Sequence, residues 1–217
     1  MSLEDGEADL KRPLLMLIAV GALAYASVAS AAATEIKVGD GFFSPRTPPV
    51  RNLATGASFH WQRASGSTLP HNIHGNFNLF SSGAVTSGPI NFSIRASAGA
   101  YHYYCTLHGS PSGGMDGVVR VRPIFNFNPT GTPFTVIWAL GGTAPTNTGN
   151  QFDVRYRVGT SATWKFWRND TTTRSGVFGQ NNQPVQVVSG GTYQFQVRSQ
   201  KTPSQPSGWS PILTVHT

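Results

Sequence analysis

From Thr34 onward the chain breaks into short runs of alternating apolar and polar residues. Each run is closed by Gly, Pro, Asn or Ser, and none keeps a helical period for more than a turn or two. A period of two puts one face of a run in a core and the other in water, as in a half-buried strand. Glu35–Val38, Ala57–Trp61, Ile90–Ile94, Tyr101–Cys105 and Gly117–Val121 read as strands. Phe134–Trp138, Phe152–Val158, Trp164–Trp167, Val185–Val188, Tyr193–Val197 and Ile212–Val215 continue the series. With 24 Gly, 15 Pro and only 12% charged residues, the expected class is all-β. A length of 217 residues is generous for one sandwich and suits two small domains. Composition changes near Pro123, which divides the chain into domains at 34–122 and 124–217. The connector, about Pro123–Pro133, carries Phe125 and Phe127, so the two domains are expected to pack.

Residues 1–33 read as a targeting segment. Lys11-Arg12 precede an uncharged apolar run, Pro13–Ala33, which ends in Ala31-Ala32-Ala33 like a cleavage site before Thr34. Glu4, Asp5, Glu7 and Asp9 make its start acidic, and the run approaches the roughly 20 residues of a membrane span. A cleaved signal and a retained anchor are both open. The expected location is secreted, or on the outer face of a membrane through this segment alone. The rest of the chain has 14 basic and 5 acidic residues, but they are scattered. Nucleic-acid binding would need a clustered basic patch, so a basic soluble surface is expected, with at most a mild preference for acidic partners.

A single cysteine in an exported chain cannot pair internally, and a free thiol there is a liability unless buried or occupied. Cys105 stands at the end of a strand that puts Tyr101, Tyr103 and Cys105 on one face. His108 follows in a loop, and Met115 lies beyond a Gly- and Ser-rich stretch that can fold back. His71, in Pro70-His71-Asn72-Ile73-His74, supplies a second imidazole. Two His, one Cys and a weak axial Met are the donor set of a blue-copper site, a compromise between the geometries of the two copper states. Zinc more often takes four strong ligands, without Met. His60 and His74 are decoys, and His102 alternates onto the exposed face.

These residues give a resemblance. Residues 34–122 resemble a cupredoxin of the plastocyanin–halocyanin type through His71-Asn72, Tyr101-x-Tyr103-Tyr104-Cys105-x-x-His108 and Gly114-Met115, with Phe43-Ser44-Pro45 and the strand ending at Trp61. The resemblance implies a Greek-key sandwich with one type 1 copper per chain, and electron transfer by tunnelling. It implies that Asn72 ties the two ligand loops together and that His108 shows its edge within an apolar patch. Leu107, Gly109, Pro111, Gly113 and Gly114 are the patch candidates, where a redox partner would dock. Tyr104 is a candidate second exit for electrons. The spacing from His108 to Met115 is longer than usual for the family, and Leu107 stands where Pro is common; both weaken Met115 as a ligand.

Residues 124–217 resemble a fibronectin type III (Ig-like) sandwich. The match runs over Phe134-x-Val136-x-Trp138, Phe152-x-Val154-x-Tyr156, Gly190-Gly191-Thr192-Tyr193-x-Phe195-x-Val197 and Gly208-Trp209-Ser210-Pro211. Tyr193 takes the tyrosine-corner position, whose hydroxyl ties a loop to its strand. Trp164, Trp167 and Trp209 are open between sandwich packing and an exposed sugar- or protein-binding surface.

The expected function is single-electron shuttling between redox proteins, without enzyme activity. Copper storage or delivery is one alternative, though it favours Met- and His-rich motifs and this chain has only 3 Met. A cell-surface binding module built on the second domain is another. A copper oxidase would need further His pairs, and no His-x-His occurs.

Overall fold

The computed structural model describes residues 33–48, 53–127, 133–142 and 151–217. The targeting segment lies outside the described residues apart from Ala33. Among the described residues no helix is long and apolar enough to cross a membrane.

The architecture is all-β, in two sandwich-like units. The first is built from β1 (Thr34–Gly39), β2 (Phe42–Ser44), β3 (Ser58–Arg63), β4 (His74–Gly75), β5 (Asn91–Arg95), β6 (Gly99–Ser110) and β7 (Gly113–Val121). One sheet runs β2-β1-β3-β5, with β1 and β3 parallel and the other pairs antiparallel. The facing sheet runs β4-β6-β7 and is antiparallel. The second unit holds β8 (Ile124–Phe127), β9 (Phe134–Ile137), β10 (Gln151–Val158), β11 (Lys165–Thr171), β12 (Ser175–Phe178), β13 (Thr192–Gln200) and β14 (Leu213–His216). Its antiparallel sheets are β11-β10-β13-β14 and β12-β9-β8.

Each unit has its own core, made by the inward residues of alternating strands. In β6 the order buried–exposed–buried is visible directly: Tyr101, Tyr103 and Cys105 point in, and His102 points out. Trp61 is fully buried at the centre of the first core, edge-on to Tyr103 at 5.2 Å and flanked by Phe59, Phe80 and Phe92. Side chains of this size contribute about 1.5–3 kcal/mol each when buried. The second core centres on Phe178 and Phe195, with Phe134, Trp138, Trp167 and Tyr193 around them.

The units are joined by more than the connector. Ala98 N–H donates to Trp138 O at 2.8 Å, and Ala100 exchanges two 2.9 Å backbone bonds with Gly208. The Tyr101 hydroxyl, on β6, meets Ser199 Oγ on β13 at 2.8 Å. Ala98 belongs to the core of the second unit.

Three readings of the sequence change. The start of the connector is itself a strand: Phe125 pairs with Val136 and packs against the second core. Val185–Val188 is not a strand, because Tyr193 Oη accepts the Val188 N–H at 2.9 Å in place of a ladder partner. That hydroxyl fixes loop to strand in the way expected of Tyr193. Finally, β6 continues past Cys105 to Ser110, so His108 sits on an irregular hairpin rather than in a free loop.

Candidate metal centre

Cys105 reaches the site because β6 alternates: its side chain is fully buried on the inward face. The pairing of β6 with β7 is regular to Tyr104–Asp116, breaks, and resumes at Gly109–Gly114. The break turns His108 back toward the cysteine. Two glycines permit it. A Cβ on Gly109 would lie 2.5 Å from Met115 O. One on Gly114, at φ +78°, would lie 2.6 Å from His108 O. Only glycine tolerates both the close approach and the left-handed backbone.

His71 arrives from the other side, on the segment after β3. A two-way backbone bridge to Thr86 holds it, with His71 N–H to Thr86 O at 2.9 Å and Thr86 N–H to His71 O at 3.0 Å. Asn72 ties this segment to the cysteine strand. Its Oδ1 accepts from Thr106 N–H at 2.9 Å and from the Thr106 hydroxyl at 3.2 Å, while its Nδ2 donates to Gly83 O. This is the link the resemblance implied for Asn72.

The three side chains converge. His108 Nδ1 lies 3.1 Å from His71 Nδ1 and 3.6 Å from Cys105 Sγ. One ligand atom of each residue falls within 4.8 Å of the others. The donor set fits a metal ion. Nitrogens 3.1 Å apart would subtend about 100° at an ion about 2.0–2.1 Å from each. A sulfur 3.6 Å from nitrogen, bound at about 2.3 Å, would subtend about 110°. Without a cation or shared proton, two facing ring nitrogens repel. Met115 is nearby, buried on β7 in the same apolar cluster as Cys105.

The electrostatics suit a ligand. Burial lowers the pKa of His71, and the charges of His108 and Arg63 act in the same direction against the opposing Asp40. The ring is therefore neutral at neutral pH, the form that binds metal. The Asp40 carboxyl is held well below the usual carboxylate range by the Ser67 hydroxyl and the backbone N–H groups of Leu69 and Thr68.

The remaining histidines lie apart from this group. His74 packs edge-on against Tyr104 at 5.3 Å. His60 pairs with Asn91 Oδ1 at 2.7 Å, and His102 is exposed. Around His108, itself partly exposed, Leu107 is 56% exposed, and Pro111 and Gly114 are also open to solvent. Two supporting residues escaped the sequence reading: Asp40, 3.4 Å from His71 Nε2, and Arg63, which donates to Leu69 O, Thr86 O and Gly88 O. Asp40 lies 31 residues from His71, Arg63 donates to carbonyls 6 to 25 residues further on, and no spacing rule marks either.

In the second unit, Trp167 is core. Trp164 and Trp209 instead stack with arginines on the outer face of β10 and β13. Arg157, Trp164, Arg155, Trp209 and Arg198 alternate, with guanidinium-to-ring distances of 4.0–4.8 Å.

No family model and no curated protein matches the chain. Among solved structures, a cytokine receptor complex is similar at 16% identity, over 69% of this chain and 86% of that one, with a TM-score of 0.31. The FN1–FN3 domains of chicken CNTN1 are similar at 7% identity, over 85% of this chain and 67% of that one, with a TM-score of 0.33. Likenesses this loose define neither family nor function. The site itself supports a metal-binding β-sandwich protein.

Proposed function

We propose that the chain is an exported blue-copper electron carrier. Residues 34–122 would be a Greek-key cupredoxin domain and 124–217 a fibronectin type III domain that spaces or docks it. The observation that carries the reading is the convergence of His71 Nδ1, His108 Nδ1 and Cys105 Sγ, with Met115 buried beside them. A thiolate, two imidazoles and a thioether are the donors that serve both copper oxidation states. One type 1 copper bound there would supply a reversible one-electron couple. The protein's part is to hold the ligands. Asn72 fixes the separation of the two ligand segments, the Gly109–Gly114 hairpin holds His108, and the aromatic core keeps Cys105 away from water. A carrier of this kind makes no covalent change in a substrate, so it is not an enzyme.

Electrons would leave through His108, the least buried of the three ligands, between Leu107 and Pro111. A small exposed apolar patch suits brief docking with a redox protein. The experiment is a visible spectrum of the Cu(II)-loaded chain before and after ascorbate. An intense red-region thiolate-to-copper band that bleaches reversibly is the expected result. A colourless protein would end the reading.

A further inference from the structure

We propose that Asp40 is a positioning residue of the metal centre, holding His71 in the tautomer that presents Nδ1 to the other ligands and strengthening it as a donor. The inference rests on the metal-binding reading of His71, Cys105 and His108.

Asp40 follows β1 in the turn to β2, and its carboxylate is fixed before it meets the histidine. Oδ1 accepts from the Ser67 hydroxyl at 2.6 Å and from Leu69 N–H at 3.0 Å, and Thr68 N–H reaches both oxygens at 3.1 Å. All of these donors belong to the segment running into His71. The carboxylate is thus bound to the same stretch of backbone that delivers the ligand. Its Oδ1 stands 3.4 Å from His71 Nε2.

An ionised carboxylate only accepts. Facing Nε2, it selects the Nε2–H tautomer and leaves the lone pair on Nδ1. Nδ1 is the atom aimed at His108 Nδ1, so the proton between the two rings in the metal-free protein belongs to His108. The His71 side chain is fully buried, so bulk water does not compete for Nε2. From the other side, Arg63 braces the frame by donating to Leu69 O, Thr86 O and Gly88 O. The ring therefore has one orientation available. A carboxylate behind a ligand imidazole also makes it a stronger donor, which favours a divalent over a monovalent ion.

The test uses the full chain without copper. Nitrogen NMR of the metal-free protein at mildly alkaline pH reads the His71 tautomer, and a Co(II) titration followed by the thiolate band reads affinity. Wild type should hold the Nε2–H form alone. Asp40→Ala should give mixed tautomers and a Co(II) affinity about 10–100-fold weaker. Asp40→Asn, whose amide oxygen can still accept, should restore the tautomer. Ser67→Ala removes one support of the carboxylate but not its contact with His71, and should keep the single tautomer and lose clearly less Co(II) affinity than Asp40→Ala. Wild-type behaviour of Asp40→Ala overturns the proposal, and so does an equal loss in Ser67→Ala and Asp40→Ala, which would make the effect one of loop support. A wild type that binds Co(II) normally but shows no red-region copper band overturns the type 1 reading alone.

Discussion

Tyr101 Oη and Ser199 Oγ lie 2.8 Å apart, and this contact joins the two units at the root of the strand that carries Cys105. The same hydroxyl contacts Ser97 O at 3.0 Å and Ala98 O at 3.1 Å, all within a buried pocket. Four residues further along β6 comes the ligand. The second unit is thus fastened to the strand on which the metal centre is built.

Tyr101→Phe keeps the ring and removes the hydroxyl, leaving Ser199 Oγ and the Ala98 carbonyl with fewer partners. A buried polar group left short of a hydrogen bond costs about 1–3 kcal/mol. Chemical denaturation should show a loss in that range with an unchanged slope. A variant as stable as wild type would mean the contact contributes nothing net.

Alkaline pH should act on the same residue. Burial raises the pKa of Tyr101 above that of a free tyrosine, with Ser199 and Ser97 opposing. Burial does the same to Tyr103, and the charge of Asp116 adds to it. In both cases the folded chain holds the proton more tightly than the unfolded chain. Their contribution is complete below the free tyrosine value of about 10, and is lost as pH rises above it toward the folded values. Denaturation midpoints at about pH 9 and about pH 11 should differ, and Tyr101→Phe should reduce that difference.

How far the sequence foretells this follows from the range of each interaction. Alternation is local, so the inward Tyr101, Tyr103 and Cys105 and the outward His102 are legible from five letters of sequence. The ligand set is legible because Cys105, His108 and Met115 share one hairpin, and His71 is the imidazole that the resemblance points to. Val185–Val188 misleads because its apolar alternation is real, yet the Tyr193 hydroxyl takes a backbone group that a strand would need. Asp40 and Ser199 are invisible because their partners lie 31 and 98 residues away, and nothing local marks them.

Asn72 offers a test of the link between the ligand segments. Asn72→Ala leaves Thr106 N–H without its 2.9 Å acceptor and releases Gly83 O. Outer partners of ligands typically matter by about 10–100-fold in metal affinity. Co(II) affinity should fall within that range while far-ultraviolet circular dichroism stays that of a β protein. Unchanged affinity would show that the Thr86 bridge on one side and the hairpin on the other hold the two segments at their spacing without Asn72.

Gly114→Ala tests the hairpin from within. The new Cβ would meet His108 O at 2.6 Å with the backbone at φ +78°. A left-handed non-glycine residue costs about 1–3 kcal/mol, and relief of the clash must move His108. The expected outcome is a shifted or weakened thiolate-to-copper band together with a lower denaturation midpoint. Gly113→Ala, where a Cβ meets nothing within 4 Å, is the matched control and should leave the band unchanged.

The ligand assignment is most exposed at Cys105 and His74. Cys105 is the one thiol in the chain, and its sulfur sits 3.6 Å from His108 Nδ1. Cys105→Ser replaces a soft thiolate donor with a hydroxyl and should abolish the red-region band entirely. His74 is only three residues from His71, but strand β4 turns its ring onto Tyr104, away from the sulfur. His74→Ala should therefore keep the band and lose only an aromatic contact, within about 0.5–1.5 kcal/mol of wild-type stability. Spectra of the two copper-loaded variants side by side decide the matter. A blue Cys105→Ser would remove the thiolate from the site, and a colourless but folded His74→Ala would put the wrong histidine in the proposed ligand set.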